Sequence, residues 1–153
     1  MKITRALPIV LGLLLSSSRP ATAQPTTVLK VSGSPTMTIN TAVPGSQPTA
    51  VTDASTTYTV SVKQTDGLQH ITAQIGVLPM PANTTLSITM ALPSAGGTGF
   101  GPVTLSLTPQ IVIGNIPKVS GSSGSITYTF SATAAAGVVS GQRFVTFTLV
   151  AGA

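Results

Sequence analysis

Very few side chains of this sequence could perform acid/base chemistry or bind a metal. It holds two Asp, no Glu, one His and no Cys, and the acids and the imidazole are Asp53, Asp66 and His70. A glycosidase-type carboxylate pair would require the two Asp to converge. Asp66 precedes a Gly and Asp53 precedes Ala-Ser, which are contexts where Asp usually bonds its own turn. His70 alternates with the apolar Ile71, so we expect it to face outward without a catalytic partner.

The remaining motifs also point away from catalysis and cofactors. Residues 96–101 are Gly-rich but lack the Lys-Ser/Thr ending and the helix of a phosphate-binding loop, and residues 121–124 do not have the spacing of a nucleophile elbow. One His and two separated Asp exclude an ordinary zinc site and give calcium no cluster of acids. We therefore predict no catalytic, cofactor-binding or metal-binding residue, and no enzyme.

Two features could mediate contacts instead of chemistry. Phe100 lies in the Gly/Ser loop 94–102, where it either packs over a sheet edge or forms an exposed contact point, and we take it as the candidate contact residue. Trp is absent, and alternation places Tyr58 and Tyr128 on the inner side of their strands, which leaves few aromatic platforms for sugars. Asn83-Thr84-Thr85 fits the N-glycosylation pattern, whose use depends on the host.

The first 23 residues have the pattern of an export signal. Lys2 and Arg5 precede an apolar run at 6–15, and Ala21-Thr22-Ala23 forms a small-residue cleavage site, so we predict cleavage between Ala23 and Gln24. The run is about half the length of a membrane-spanning helix. The prediction is a secreted, periplasmic or cell-surface protein with no stable membrane insertion.

Charge is scarce in the predicted mature part, residues 24–153. Three of the seven cations precede residue 24, so four cations and two carboxylates remain, for a net charge of +2. The four cations are scattered singly, which does not favour a nucleic-acid partner.

Thr and Ser alternate with apolar residues at the period of a β-strand. The clearest runs are 57–62, 71–75, 85–92, 103–108, 126–131 and 145–149, and weaker candidates are 26–31, 36–41 and 110–113. Asp66-Gly67 predicts a tight hairpin. Segments rich in Pro, Gly or Ser predict loops at 79–83, 120–125 and 137–141. The spacing favours one all-β domain at 24–153, an Ig-like, two-sheet antiparallel β-sandwich of about eight strands. The alternative, a small outer-membrane β-barrel, would need longer strands and more aromatic residues.

The low charge itself indicates a class of function. Only 6% of the residues are charged, against roughly 25% in typical soluble domains. Charges on edge strands prevent sheets from adding to one another, so a hydroxyl-rich surface with few charges favours contacts with copies of itself or with a surface or matrix partner. We expect a structural or adhesive protein that uses strand edges. The alternative is an extracellular module that binds carbohydrate or protein.

The segments 125–130 and 141–149 are predicted to form a closing hairpin. With the leader and the Thr-rich alternation, this hairpin resembles bacterial secreted pilin-like and spore-coat-U-like β-sandwich proteins. The resemblance implies a subunit of a surface structure, often completed by a strand that a neighbour donates. Many such subunits carry a cysteine pair, which this sequence lacks. The resemblance assigns no functional residue.

Overall fold

A computed structural model describes residues 26–39, 46–136 and 141–152. The predicted signal at 1–23 and its cleavage site at Ala23 and Gln24 lie outside these residues. The described residues contain no helix that is long and apolar enough to cross a membrane.

The described residues form nine β-strands and two single-turn 3-10 helices. The strands are β1 (Val28–Ser32), β2 (Val51–Val62), β3 (Gln69–Ile75), β4 (Thr84–Met90), β5 (Thr98–Gly99), β6 (Val103–Thr104), β7 (Gln110–Ile116), β8 (Val119–Ala132) and β9 (Val145–Ala151). The 3-10 turns are Gln64–Asp66 and Ala134–Ala136. The predicted all-β class is confirmed, with nine strands instead of about eight, two of them only two residues long.

The strands form two antiparallel sheets. Sheet I has the order β1-β2-β8-β4-β6, and sheet II has the order β5-β7-β3-β9. The apolar residues of the alternating runs meet between the sheets, as the buried set Tyr58, Val60, Val62, Ile71, Ala73, Ile75, Leu86, Ile88, Met90, Ile113, Ile126 and Tyr128 shows. This arrangement confirms the two-sheet antiparallel sandwich.

Hydroxyl side chains cover the outer face of sheet I, as alternation predicts. Thr59 and Ser123 share a hydrogen bond of 2.9 Å between neighbouring strands, and Thr85 and Ser131 share one of 2.6 Å. Cross-strand pairs of this kind each stabilise a sheet by a few tenths of a kcal/mol to about 1 kcal/mol.

The predicted hairpin at Asp66-Gly67 is wrong. Gly67 has a φ of 67°, as a tight turn requires, but the turn joins β2 in sheet I to β3 in sheet II. The closing segments are not a hairpin either, since β8 and β9 also belong to different sheets. Turn chemistry specifies a reversal of the chain, whereas the choice of sheet depends on packing across the core.

Three local predictions need correction. The predicted loop at 120–125 belongs to β8, where Ser122, Ser123 and Gly124 pair with β2. In the predicted strand at 103–108 only Val103–Thr104 pairs in a sheet, although Leu105 is buried. The candidate strand at 36–41 is not a strand in its described residues, 36–39; the predicted loop at 137–141 is described only at Gly141.

Candidate functional site

The two carboxylates lie at opposite ends of β2. Asp53 is near its start, where its Oδ1 accepts hydrogen bonds from the Ser55 amide at 2.8 Å and the Ser55 hydroxyl at 2.6 Å. The hydroxyl bond and then the amide bond hold the pKa of Asp53 below its usual value. Nine residues of extended strand, about 30 Å, separate Asp53 from Val62 at the other end. The two carboxylates therefore do not form a pair.

Asp66 ties the start of β1 to the turn after β2. It accepts hydrogen bonds from the hydroxyls of Thr27 and Thr65, and the Thr27 oxygen in turn accepts the Lys63 amide at 2.9 Å. The Thr27 bond, followed by the Thr65 bond, lowers the pKa of Asp66. The carboxylate is a structural acceptor, but its hydrogen bonds come from two side-chain hydroxyls and not, as the sequence predicts, from the backbone of its own turn.

His70 lies on the outer face of sheet II, as its alternation with Ile71 predicts. It is half-buried, and its Nδ1 accepts the backbone amide of Asn115 at 3.3 Å. Neither Asp is among the hydrogen-bond partners that the structure gives this ring. The structure therefore does not bring Asp53, Asp66 and His70 into one site.

Phe100 combines the two positions that the sequence left open: its ring packs over the sheet at Gly114 and is also about half exposed, and its role as a contact residue stays a prediction. Its side chain is 53% exposed, and its ring passes over Gly114, where an added Cβ would lie 3.0 Å from Phe100 Cε2 and 3.1 Å from His70 Nδ1. Asn115 Nδ2 donates to Thr98 Oγ1 at 3.2 Å beside the ring. Phe100 is thus one aromatic ring with polar neighbours. Sequence alone could not predict this cluster, because it depends on the pairing of β5 with β7.

The two tyrosines belong to the core, as predicted. Tyr58 is 1% exposed and its hydroxyl donates to the Ala91 carbonyl at 2.5 Å. Burial raises the pKa of Tyr58 to about 12 and raises that of Tyr128 as well. Neither ring offers a platform for a ligand.

Asn83, the predicted glycosylation acceptor, lies at the surface just before β4. It is exposed with a φ of 63°, and its Nδ2 donates to the Ala135 carbonyl at 3.4 Å. The position is accessible from solvent, and glycosylation of Asn83 stays a prediction.

An apolar patch lies beside the start of β9. Val77, Leu78 and Phe144 are 93%, 57% and 69% exposed, and they line a shallow hollow with Gly76, Gln142 and Arg143. Arg143 Nε donates to the Pro79 carbonyl at 2.7 Å and holds the two loops together.

Four strands end the two sheets, and three of them carry features that discourage further pairing. β5 and β6 are two residues long, and β1 carries Lys30. β9 has seven residues with no charge and no Pro, and its register with β3 is unbroken. Short, charged or irregular edges resist strand addition, and long regular apolar edges accept it. Within the part of the chain that the structure describes, β9 is the edge that best fits an added strand.

The backbone polarity of β9 defines which of its groups are free. The Phe144 carbonyl accepts the Gly76 amide at 2.7 Å, and the Gly152 amide donates to Leu68 at 2.8 Å, so residues 144 and 152 face β3. Because facing groups alternate along an antiparallel strand, 146, 148 and 150 also face β3. The amides and carbonyls of Val145, Phe147, Leu149 and Ala151 therefore point away from β3, to the edge where no other described strand pairs with β9.

The inward side of β9 is only partly covered. Val145, Phe147 and Leu149 pair with Ile75, Ala73 and Ile71, which are buried, and therefore share their inward face. All three are nevertheless only half-buried. On the same side of the sandwich, β1 ends sheet I with Leu29 half-buried and Val31 39% exposed. The candidate functional site is this open side, formed by the free edge of β9 and its partly covered apolar row.

Comparison of the chain with protein-family models, with curated proteins and with solved structures gave no match.

Proposed function

We propose that this protein is an exported, non-catalytic structural or adhesive subunit that associates through strand-edge contacts. The observation that carries the proposal is the β9 edge: seven uncharged residues in unbroken register, with four residues presenting free backbone groups above a partly covered apolar row. An added strand would satisfy the backbone groups and cover the apolar row in one step. Because β9 carries no charged residue, it offers little electrostatic repulsion to an added strand.

The strand order supports an Ig-like interpretation of the sandwich. Ig domains place strands A, B, E and D in one sheet and C, F and G in the other. In sheet I, β1, β2, β8 and β4 would then correspond to A, B, E and D. In sheet II, β3 would correspond to C and β9 to F, so strand G would lie at the open edge of β9. A subunit completed by a neighbour's strand, as the pilin-like resemblance implies, would receive it there.

Sedimentation equilibrium of the purified protein tests the proposal. We expect the average mass to rise between about 10 μM and 1 mM, the range of weak interfaces. A mass that stays at one chain throughout, together with no binding to cell surfaces or matrix polymers, would contradict it. Binding to a polysaccharide without self-association, lost on Phe100→Ala, would favour the carbohydrate-binding alternative.

A further inference from the structure

We infer that the partner of the β9 edge is the β9 edge of a second copy of this chain, in an antiparallel pair whose two-fold axis passes beside Thr148. This inference rests on the proposed function and deepens it by naming the partner and the register. It would join the two copies of sheet II into one continuous eight-stranded sheet.

The backbone polarity favours this register over its neighbours. With Thr148 opposite Thr148 of the second copy, Phe147 faces the second Leu149, and Val145 faces the second Ala151. All four residues are those whose amides and carbonyls point outward, and each such pair exchanges two hydrogen bonds, for about eight in all. A two-fold axis at Phe147 or at Leu149 would leave one of the four residues without a partner from β9 and give about six bonds.

The side chains are self-complementary in the same register. The two-fold axis is perpendicular to the sheet, so inward residues of one copy stay beside inward residues of the other. The partly buried Phe147 and Leu149 then form two aromatic–aliphatic cross-strand pairs, and the outward Thr148 hydroxyls meet at the axis. β9 carries no charge in either copy, so no like charges oppose each other.

The contact area indicates a reversible dimer. The seven residues of β9 span about 24 Å, and a two-sheet body with its outer side chains is about 20 Å thick. The two copies would bury about 1,000 Å² in total, which is at the low end of specific interfaces. The expected affinity is therefore micromolar or weaker.

Cysteine cross-linking of the intact protein tests the register, because the chain has no cysteine of its own. In Thr148→Cys the two thiols would face each other at a non-hydrogen-bonded pair, with Cα atoms about 4.5 Å apart, within the range of a disulfide. Thr146→Cys is the matched control: it is exposed on the same face of the same strand, but its two copies would lie about 14 Å apart. We expect disulfide dimers of Thr148→Cys to form at least about tenfold faster under mild oxidation, because the control thiols meet only by random collision.

A mixture of two variants supplies an independent check. Thr146 faces Val150 of the second copy, so Thr146→Cys mixed with Val150→Cys is expected to give the mixed disulfide faster than either protein alone gives its own dimer. If the unmodified chain associates in sedimentation but Thr148→Cys cross-links no faster than Thr146→Cys, the register is wrong and the proposed function stands. If the unmodified chain does not associate and no variant cross-links selectively, the inferred pairing fails. If the chain then also binds no cell surface or matrix polymer, the proposed function fails with it.

Discussion

Replacing Ile113 by Ala is expected to lower the free energy of unfolding by about 2–5 kcal/mol, since a fully buried Ile loses its contacts and leaves a cavity. Ile113 has no exposed surface and pairs with Ile71 in the middle of sheet II. A domain of this kind is stable by about 5–15 kcal/mol, so the loss is a large share of the total. Urea unfolding followed by circular dichroism measures it.

Ile111→Ala is the matched control for this change. Ile111 is the same residue type in the same strand, two positions earlier, yet it is 43% exposed. Its truncation is expected to cost less than about 1 kcal/mol. Equal losses at the two positions would contradict the assignment of Ile113 to the core and Ile111 to the surface.

Adding one methyl group at Gly124 is expected to destabilise the fold by about 1–3 kcal/mol through overpacking. A Cβ there would lie 2.6 Å from Tyr58 Cε1 and 3.0 Å from the Tyr58 hydroxyl oxygen. The ring cannot move away without cost, because it is buried and its hydroxyl is bonded to Ala91. Thermal unfolding of Gly124→Ala measures the effect.

Gly99→Ala provides the comparison, since its Cβ would meet Leu92 Cδ2 at an ordinary 3.5 Å. We expect this variant to be neutral or to gain up to about 1 kcal/mol from the reduced entropy of the unfolded chain. The packing of Tyr58 on Gly124 would be refuted by a Gly124→Ala protein as stable as Gly99→Ala.

Period-two alternation predicts the sides of most strands correctly, because the side of a residue is a local property of extended backbone. Tyr58, Val60 and Val62 are buried as predicted, and so are Ile71 and Ile75. The rule fails in β7, where Ile111 and Ile113 have the same parity but face opposite sides. The pairing with β3 shifts between Ile71 and Thr72, which places Ile113 opposite the inward Ile71 and Ile111 opposite the outward Thr72.

Features that depend on distant residues could not be predicted from local sequence. Gly121 and Gly124 indicate a loop, yet β8 runs through them because its backbone pairs with β2. The missing side chain of Gly124 leaves room for the Tyr58 ring. The sheet that follows the Asp66-Gly67 turn depends on packing across the core. For the candidate site, the scarcity of charge predicted strand-edge contacts, but the choice of β9 required the order of the strands, which no local pattern contains.

Amide hydrogen exchange along β9, measured by NMR at low and high protein concentration, tests the central claim most directly. In the single chain the amides of Thr146 and Thr148, which face β3, are expected to be protected, and those of Phe147 and Leu149 to exchange rapidly. At concentrations where the chain associates, Phe147 and Leu149 are expected to become protected as well. Rapid exchange of these two amides in a chain that sedimentation shows to be associated would contradict the account.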